Sequence, residues 1–389
     1  MAQDVAVAAA SARALAQAAR RAGYRVAAVD AYGDLDLRQV VGDAYVRLRP
    51  WDATAAVAAL ANRAATRLVA YGTGLEHEPA AVRALAKERE LLGNPPSVLA
   101  AAGDPLAIAA ALAEAGVPGP MVRASAPAVS RAKVKAPGPA WLLKPRASGG
   151  GRGITDWARG TRVGRTHYLQ ERLDGPSGSL VFLADGRRAM PLALSRQLVG
   201  DAAFGAAGYR WCGNLLATAD APLFDEQERL LHGATRAADA LTKAFGLVGV
   251  NGIDFIAQDG AARVVELNPR WTAAAELIER ARELPLFELH VRACRGVLLP
   301  ASRPPLDLPL TYGKAVVFAL RSGVTAGTAA WLGDRRFADV PANGTPVAVG
   351  DPVCTVFAEA DTAKACHDQL LALARLVHHA VGRPIPAPA

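Results

Sequence analysis

The chain has 389 residues, a formal net charge of +8, 51% hydrophobic and 21% charged residues. This length predicts two or three domains with sizeable cores. The apolar runs are too short for a transmembrane helix, and the N-terminus lacks the basic region of a signal peptide, so we expect a cytoplasmic protein without membrane contacts. The arginines are dispersed, which argues against a nucleic-acid partner. The four cysteines form no CxxC pair, so the sequence indicates neither a disulfide framework nor a zinc site.

Residues 1–95 alternate short apolar runs with helical segments, which predicts a Rossmann-like α/β domain. Ser11 is the expected N-cap of the first helix. The turn before that helix contains no glycine, so a nicotinamide cofactor is not expected. Residues 72–74, Gly-Thr-Gly, follow a predicted strand at the sheet edge where α/β proteins bind ligands. They predict either a tight turn or a substrate contact.

A glycine cluster follows a lysine near the middle of the chain. Residues 141–145 are typical of a strand, and Lys144 lies within it. A glycine loop comes next, formed by Gly149, Gly150, Gly151 and Gly153. Glycines let backbone N–H groups close around an anion, and the lysine adds a positive charge. The pattern favours phosphate binding, although a flexible turn would have the same composition.

Two carboxylates define a second site. Residues 248–256 and 261–270 are apolar runs on either side of Asp259-Gly260, which predicts a β-hairpin. If its loop centres on Gly260, Asp254 lies across from Glu266, and the two carboxylates repel unless a cation lies between them. With Asn268 they form an oxygen-only ligand set that suits Mg²⁺. The simpler alternative is that both carboxylates pair with nearby arginines.

These motifs, in this order, resemble the ATP-grasp superfamily over about residues 90–300. The resemblance rests on Lys144 with the glycine loop, residues 170–175, residues 252–254 and residues 266–270. It implies an α/β and α+β architecture. The expected parts are a Rossmann-like domain over 1–95, a lid over 96–175, an ATP-grasp core with the metal site over 176–300, and a small β-rich part over 301–389.

The resemblance also implies roles for individual residues. Lys144 and the glycine loop would hold the phosphates of ATP, and Asp254, Glu266 and Asn268 would bind Mg²⁺, with Mn²⁺ as an alternative. Glu171, Arg172 and Leu173 would form the hinge that meets adenine. Arg270 would contact an acylphosphate or a substrate carboxylate, and Arg196 and Arg210 are candidates for the same task or for structural salt bridges.

The chain departs from the family pattern at two places. Many members carry another phosphate-binding lysine near the start of the helix for which Asp104 is the predicted N-cap, but Pro105 and Leu106 follow here. Lys133 or Lys135 could replace it, or the contact is missing. The acid expected on the ribose is also uncertain, with Asp174 the only candidate.

The sequence therefore predicts an ATP-dependent ligase that joins a small carboxylate to a small amine through an acylphosphate. A role in one-carbon coenzyme biosynthesis, of the methanofuran or methanopterin type, is a finer hypothesis. The alternative from another class is a nucleotide-binding protein without catalysis, which the missing lysine favours. Whether the protein forms a homodimer stays open.

Overall fold

The computed structural model describes residues 4–61, 66–125, 140–298 and 305–382. Three sheets surround one cleft: a five-stranded sheet, a four-stranded sheet and an eight-stranded sheet. The proposed substitutes for a second phosphate-binding lysine, Lys133 and Lys135, lie outside the described residues.

The N-terminal sheet is parallel, with strand order β3-β2-β1-β4-β5, as predicted for a Rossmann-like unit. Its strands are short runs of small apolar residues, and Val5 to Ala8 are completely buried between helices on both faces. The elements are β1 (Asp4–Ala8), α1 (Arg13–Arg21), β2 (Arg25–Asp30), α2 (Leu35–Val41), β3 (Tyr45–Arg47), α3 (Ala53–Ala61), β4 (Leu68–Tyr71), α4 (Pro79–Leu85) and β5 (Glu90–Leu92).

The first helix begins later than the sequence indicates. Ala12, rather than Ser11, is at the N-cap, and it makes no side-chain cap hydrogen bond. Asp30 instead stabilises this end of the sheet, because its carboxylate accepts hydrogen bonds from the Tyr45 hydroxyl and from the backbone N–H of Gly33. The carboxylate that a dinucleotide fold would offer to a ribose is therefore used inside the protein.

Two helices and a small antiparallel sheet form the next part. The Asp104 side chain caps the second helix by accepting from Leu106 N at 3.2 Å, as predicted. The sheet order is β6-β9-β7-β8. The elements are α5 (Pro96–Ala102), α6 (Pro105–Glu114), β6 (Val122–Arg123), β7 (Trp141–Pro145), β8 (Thr155–Asp156) and β9 (His167–Glu171).

Among the described residues, no single helix is both long and apolar enough to cross a bilayer. The α5–α6 pair passes the same test when taken together, although it is bent by 80°.

The largest sheet has the order β14-β13-β10-β11-β12-β15-β19-β17. Its elements and their neighbours are β10 (Ser177–Asp185), β11 (Ala189–Val199), β12 (Trp211–Leu216), α7 (Gln227–Phe245), β13 (Val248–Gln258), β14 (Ala261–Asn268), α8 (Ala273–Arg282), α9 (Leu286–Cys294), β15 (Thr311–Phe318), β16 (Gly323–Val324), β17 (Phe337–Ala338), β18 (Pro346–Val347), β19 (Pro352–Ala360) and α10 (Ala363–Ala380).

The C-terminal residues do not form a sheet of their own. Strand β15 pairs with β12, so β15, β19 and β17 extend the sheet that carries the predicted metal hairpin. Within the described residues, the two short strands β16 and β18 form a separate two-stranded sheet. The sequence predicted a small β-rich part here, and it could not show that these strands continue the core sheet.

A buried ionic network joins the N-terminal sheet to the large sheet. The Glu276 carboxylate in α8 bonds Arg13 of α1, Lys314 of β15 at 2.8 Å and Arg280 at 2.8 Å. Arg13 also donates to Asp339 at 2.9 Å. Burial alone would raise the pKa of Glu276, but Arg13, Lys314 and Arg280 outweigh it and hold that pKa well below its usual value.

We expect Glu276→Gln to lower the free energy of unfolding by about 3–5 kcal/mol, because it removes the buried carboxylate that Arg13 and Lys314 share. Glu288→Gln is the matched control. Glu288 pairs with Arg292 on an exposed helix face at 2.7 Å, where the loss should be about 1 kcal/mol or less. Urea denaturation of both variants measures the difference, and equal losses would contradict a structural role for the network.

Candidate ATP and metal site

One cleft of about 1440 Å³ holds nearly all of the predicted site residues. The glycine loop and β7 lie on one side, and the hairpin β13–β14 lies on the other. The C-terminal ends of the N-terminal strands contribute Gly72, Thr73 and Gly74 to its wall. Gly153 is the exception: it is not part of the cleft wall and packs against Pro145.

Asp254 pairs with Glu266 across the hairpin, as predicted, but the cause is a feature that the sequence did not reveal. Asp259 and Gly260 both have positive φ, 52° and 68°, which is typical of a two-residue type I′ turn. This turn alone would not place Asp254 opposite Glu266. A β-bulge at Val265 shifts the register by one residue and brings the two carboxylates into direct opposition.

The two facing carboxylates repel each other. Burial, followed by the charge of Glu266, raises the pKa of Asp254 to about 6. Asn268 is fixed beside them, because its amide donates to Asp254 at 3.1 Å and its oxygen accepts from Arg270 at 3.0 Å. Neither carboxylate makes an ion pair with an arginine within 4.0 Å among the described residues. The arrangement and its oxygen-only chemistry therefore fit a hard divalent cation.

The candidate metal ligands are two carboxylates, Asp254 and Glu266, and one amide, Asn268. This composition distinguishes the site from one built of histidine or cysteine. Within the described ranges, no group of three or more His, Cys, Asp and Glu side chains is placed to hold a metal ion. The candidate site depends on Asn268 for its third ligand.

Lys144 is buried opposite the hairpin. Its ammonium donates to Gln170 Oε1 at 3.1 Å and to the Val265 carbonyl at 3.3 Å. Gln170 donates to the same carbonyl at 3.0 Å. Strands β7 and β9 place both side chains there, and no carboxylate neutralises the lysine in these bonds. Lys144 is thus held near the carboxylate pair with its positive charge available to an anion.

The glycine loop lies against the segment before β12. The Gly150 carbonyl accepts from Trp211 N at 3.1 Å, and the Ser148 carbonyl lies 3.2 Å from His77 Nε2. Gly151 has φ of 76°, and a Cβ there would lie only 1.8 Å from the Tyr209 carbonyl oxygen. The loop can reach this position only because residue 151 has no side chain.

The predicted adenine hinge follows β9. The backbone N–H groups of Glu171 and Arg172 already donate to Met121 and Ala140, both at 2.8 Å. The backbone of Leu173, which also lines the cleft, is therefore the best placed of the three for adenine. Asp174, the candidate for ribose, is 84% exposed and pairs with Arg172.

The three candidate arginines lie in the same cleft in different surroundings. Arg270 is buried, and its guanidinium donates to Glu76 at 2.5 Å and to Asn268. Arg196 is exposed on β11, and Arg210 stacks over Phe318. The structure therefore shows Arg270 as part of a buried ion pair that orients Asn268, rather than as a free anion-binding group.

Several residues of this site were not predicted from the sequence. Glu76 follows the Gly72–Gly74 turn by two residues, and its partner Arg270 is distant in sequence. Gln170 was noted only as part of the hinge motif. Arg146 was not singled out; it bonds Asp104 at 3.1 Å and lines a smaller cavity of about 180 Å³ beside Pro105. Its position two residues after Lys144, on the same strand face, was the available signal.

The comparisons with known proteins agree with this geometry. Residues 102–274 match the family model described as an ATP-grasp domain. The chain carries an ATP-grasp domain. The predicted ATP-grasp fold is confirmed, because solved structures of this architecture match nearly the whole chain.

Two solved structures illustrate the match. The first is an L-amino acid ligase from Bacillus licheniformis, with TM-score 0.68, 14% identity, and coverage of 97% of this chain and 98% of that one. The second is the biotin carboxylase domain of 2-oxoglutarate carboxylase from Hydrogenobacter thermophilus, in complex with MgADP. Its TM-score is 0.68 at 16% identity, with coverage of 94% and 88%.

A curated relative matches over a shorter stretch. The large chain of carbamoyl phosphate synthase from Neisseria meningitidis is 30% identical over 78 residues, which are 20% of this chain. The chain spans only 7% of the length of that relative. The fold of the ATP-grasp domain is therefore established, and its substrates must be argued from the site.

We expect Asp254→Asn to abolish stabilisation by Mg²⁺. The substitution removes one ligand charge and also the repulsion from Glu266, so the melting temperature without metal should be unchanged or higher. Melting curves at zero and 10 mM Mg²⁺ (about 10 mM suffices for millimolar affinity) provide the measurement. Asp185→Asn, in the turn between β10 and β11, is the control, because an asparagine oxygen can still accept the two backbone hydrogen bonds that Asp185 receives there. A variant that keeps the full Mg²⁺ response would remove Asp254 from the metal site.

We expect Gly151→Ala to weaken ADP binding by about tenfold or more, because a Cβ at this positive φ costs about 1–3 kcal/mol and meets the Tyr209 carbonyl. Gly164→Ala, where a Cβ has no neighbour within 4 Å, should bind ADP like the unmodified protein. Titration calorimetry with MgADP compares the two. Equal affinities would show that nucleotide binding does not need this loop position.

Proposed function

We propose that the protein is an ATP-dependent ligase that activates a small carboxylate as an acylphosphate and transfers it to an amine, forming a C–N bond. The observation that carries this proposal is the opposition, across one cleft, of Lys144 with the glycine loop and the Asp254–Glu266 pair. A phosphate-binding side and a metal-binding side that face each other across one cleft suit a triphosphate.

The proposed cofactors are ATP and Mg²⁺. Asp254, Glu266 and Asn268 would hold the cation, which supplies charge neutralisation to the transferring phosphoryl group. Lys144 would donate from the opposite wall, since its ammonium is already aimed by Gln170 and the Val265 carbonyl. Preorganised cations of this kind stabilise the charge that develops in the transition state.

Arg270 would act mainly through Asn268. Glu76 fixes its guanidinium, and Arg270 in turn fixes the Asn268 oxygen. Burial would lower the pKa of Arg270, but the charge of Glu76 and its hydrogen bond outweigh this and raise it, so the side chain stays cationic. A permanent positive charge beside the metal ligands favours an anionic acylphosphate nearby.

The glycine loop would exclude water during the reaction. Its contacts with Trp211 and His77 close the cleft on two sides. An acylphosphate is readily hydrolysed, so a closed loop protects it until the amine attacks.

Two finer proposals come from the sequence alone. One is a role in one-carbon coenzyme biosynthesis, and the other is Mn²⁺ in place of Mg²⁺. The alternative function, nucleotide binding without catalysis, is favoured by Pro105 at the position expected for a further lysine. Arg146 beside Asp104 places a cation next to that position, which favours the enzyme.

A coupled assay for ADP release tests the ligase. Small carboxylates and amines, including the twenty amino acids in pairs, are supplied with MgATP. We expect at least one pair to stimulate ADP release, and Lys144→Gln to lower kcat/KM by about 100-fold, the scale of removing one preorganised cationic donor. If MgATP binds but no pair stimulates release, the non-catalytic alternative is supported.

A further inference from the structure

A cluster of three arginines lies in the cleft at the end far from the metal hairpin. We call Arg49, Arg152 and Arg210 the distal arginine cluster. Arg49 follows β3, Arg152 lies within the glycine loop, and Arg210 precedes β12; all three line the cleft. Three separate parts of the chain thus contribute one cation each to the same wall.

The cluster is built around aromatic and small residues. The Arg210 guanidinium carbon lies 3.7 Å from the centre of the Phe318 ring. A Cβ built on Gly350 would lie 3.4 Å from Arg210 Nη1, so the guanidinium lies close to that glycine. Arg49 bonds the neighbouring Asp351 at 2.8 Å. The two guanidiniums therefore lie on either side of the turn that precedes β19.

Tyr32 connects the cluster to the N-terminal sheet. The Arg49 guanidinium carbon lies 5.9 Å from the Tyr32 ring centre. Tyr32, Arg49 and Arg152 line the same cleft, and the charges of Arg152 and Arg49 partly offset the rise that burial causes in the pKa of Tyr32. The aromatic ring and the guanidiniums form one continuous surface of the cleft.

Positive charge exceeds negative charge at this surface. The carboxylate bonded to the cluster is that of Asp351, which forms an ion pair with Arg49. Among the described residues, Arg152 and Arg210 make no ion pair within 4.0 Å. Burial and the charge of Arg152 lower the pKa of Arg210, so the two guanidiniums repel each other. An anion between them would remove this repulsion.

The cluster is too far from the metal hairpin to contact a phosphate held there. Strand β12 lies three strands from β13, which is about 14 Å at 4.8 Å per strand. Leu216 of β12 lies in the same row across the sheet as Asp254. Trp211, which is next to Arg210, is five residues along β12 from Leu216, a distance of about 16 Å. The anion that suits this cluster is therefore distinct from a phosphate held by the metal ligands.

We propose that the distal arginine cluster binds an anionic group, a carboxylate or a phosphate, carried by one of the two small substrates at the end remote from its reacting group. This inference rests on the proposed ligase function. Because Arg152 belongs to the glycine loop, the bound anion also stabilises the closed loop. The favoured substrate is elongated and carries a second negative charge.

The first test compares matched neutral and anionic compounds in the ADP-release assay. The pairs are glutamine and glutamate, asparagine and aspartate, and serine and O-phosphoserine, each offered as acid or as amine. We expect the anionic member to have a KM about tenfold lower or more, as for a hydrogen bond between charged groups. The substrate whose KM responds identifies the carrier of the anion.

Variants then assign this preference to the cluster. Arg210→Gln should raise the KM for the anionic member by about tenfold or more, with a change in the KM for ATP below about twofold. Arg152→Gln should raise the KM for the anionic member by a similar factor. Arg188→Gln, on an exposed turn where the side chain is 71% exposed, is the matched control and should change neither value. Equal KM values for neutral and anionic members, or a rise in the KM for ATP instead, would overturn the proposal.

A second measurement does not depend on catalysis. Melting temperatures are recorded with MgADP and added glutamate, O-phosphoserine or inorganic phosphate, against chloride at equal ionic strength. A rise in the unmodified protein that Arg210→Gln abolishes supports the anion site even if no pair stimulates ADP release, in which case only the ligase proposal fails. No anion-specific rise, together with no KM preference, refutes the site while leaving a working ligase intact.

Discussion

The β-bulge at Val265 is the local feature on which the arrangement of the cleft depends. It places Asp254 opposite Glu266, and it turns one backbone carbonyl toward both Lys144 and Gln170. A regular hairpin with the same two-residue turn would pair Glu266 with a different residue. One extra residue in a strand therefore sets the position of both the acidic and the basic sides of the site.

The walls of the cleft are held together by buried ionic contacts. Glu276 connects α8 with α1 and β15, and Glu76 connects the N-terminal sheet with Arg270. Each contact lies between elements that are distant in sequence. Buried pairs contribute less to stability than to geometry, because desolvation offsets their attraction. Their main effect here is to fix the three sheets around one volume.

The sequence predicted the features that depend on local chemistry. The parallel N-terminal sheet, the Asp104 cap and the hairpin with its facing carboxylates all follow from short-range patterns of glycine, polarity and alternation. The bulge at Val265 was not predictable, since no residue type specifies it. The pairing of Asp254 with Glu266 was therefore correct although the assumed loop centre was not.

Long-range contacts could not be read from the sequence for a different reason. Arg270 was expected to contact an acylphosphate or a substrate carboxylate, and its partner Glu76 was not foreseen, because Glu76 lies 194 residues earlier and nothing local links the two. The same holds for Lys314, which brings the C-terminal strands into the core sheet beside Glu276. Such partners are determined by packing of separate elements, which periodicity and spacing do not encode.

The Glu76–Arg270 pair has a consequence for how separable the ATP-grasp domain is. The family match covers residues 102–274 and so includes Arg270 but leaves out Glu76. A segment excised at those limits would bury an arginine without its counter-charge, directly beside Asn268. The ATP-grasp unit of this chain is therefore not separable from the N-terminal sheet, because the proposed nucleotide site includes an ion pair whose carboxylate, Glu76, that sheet contributes.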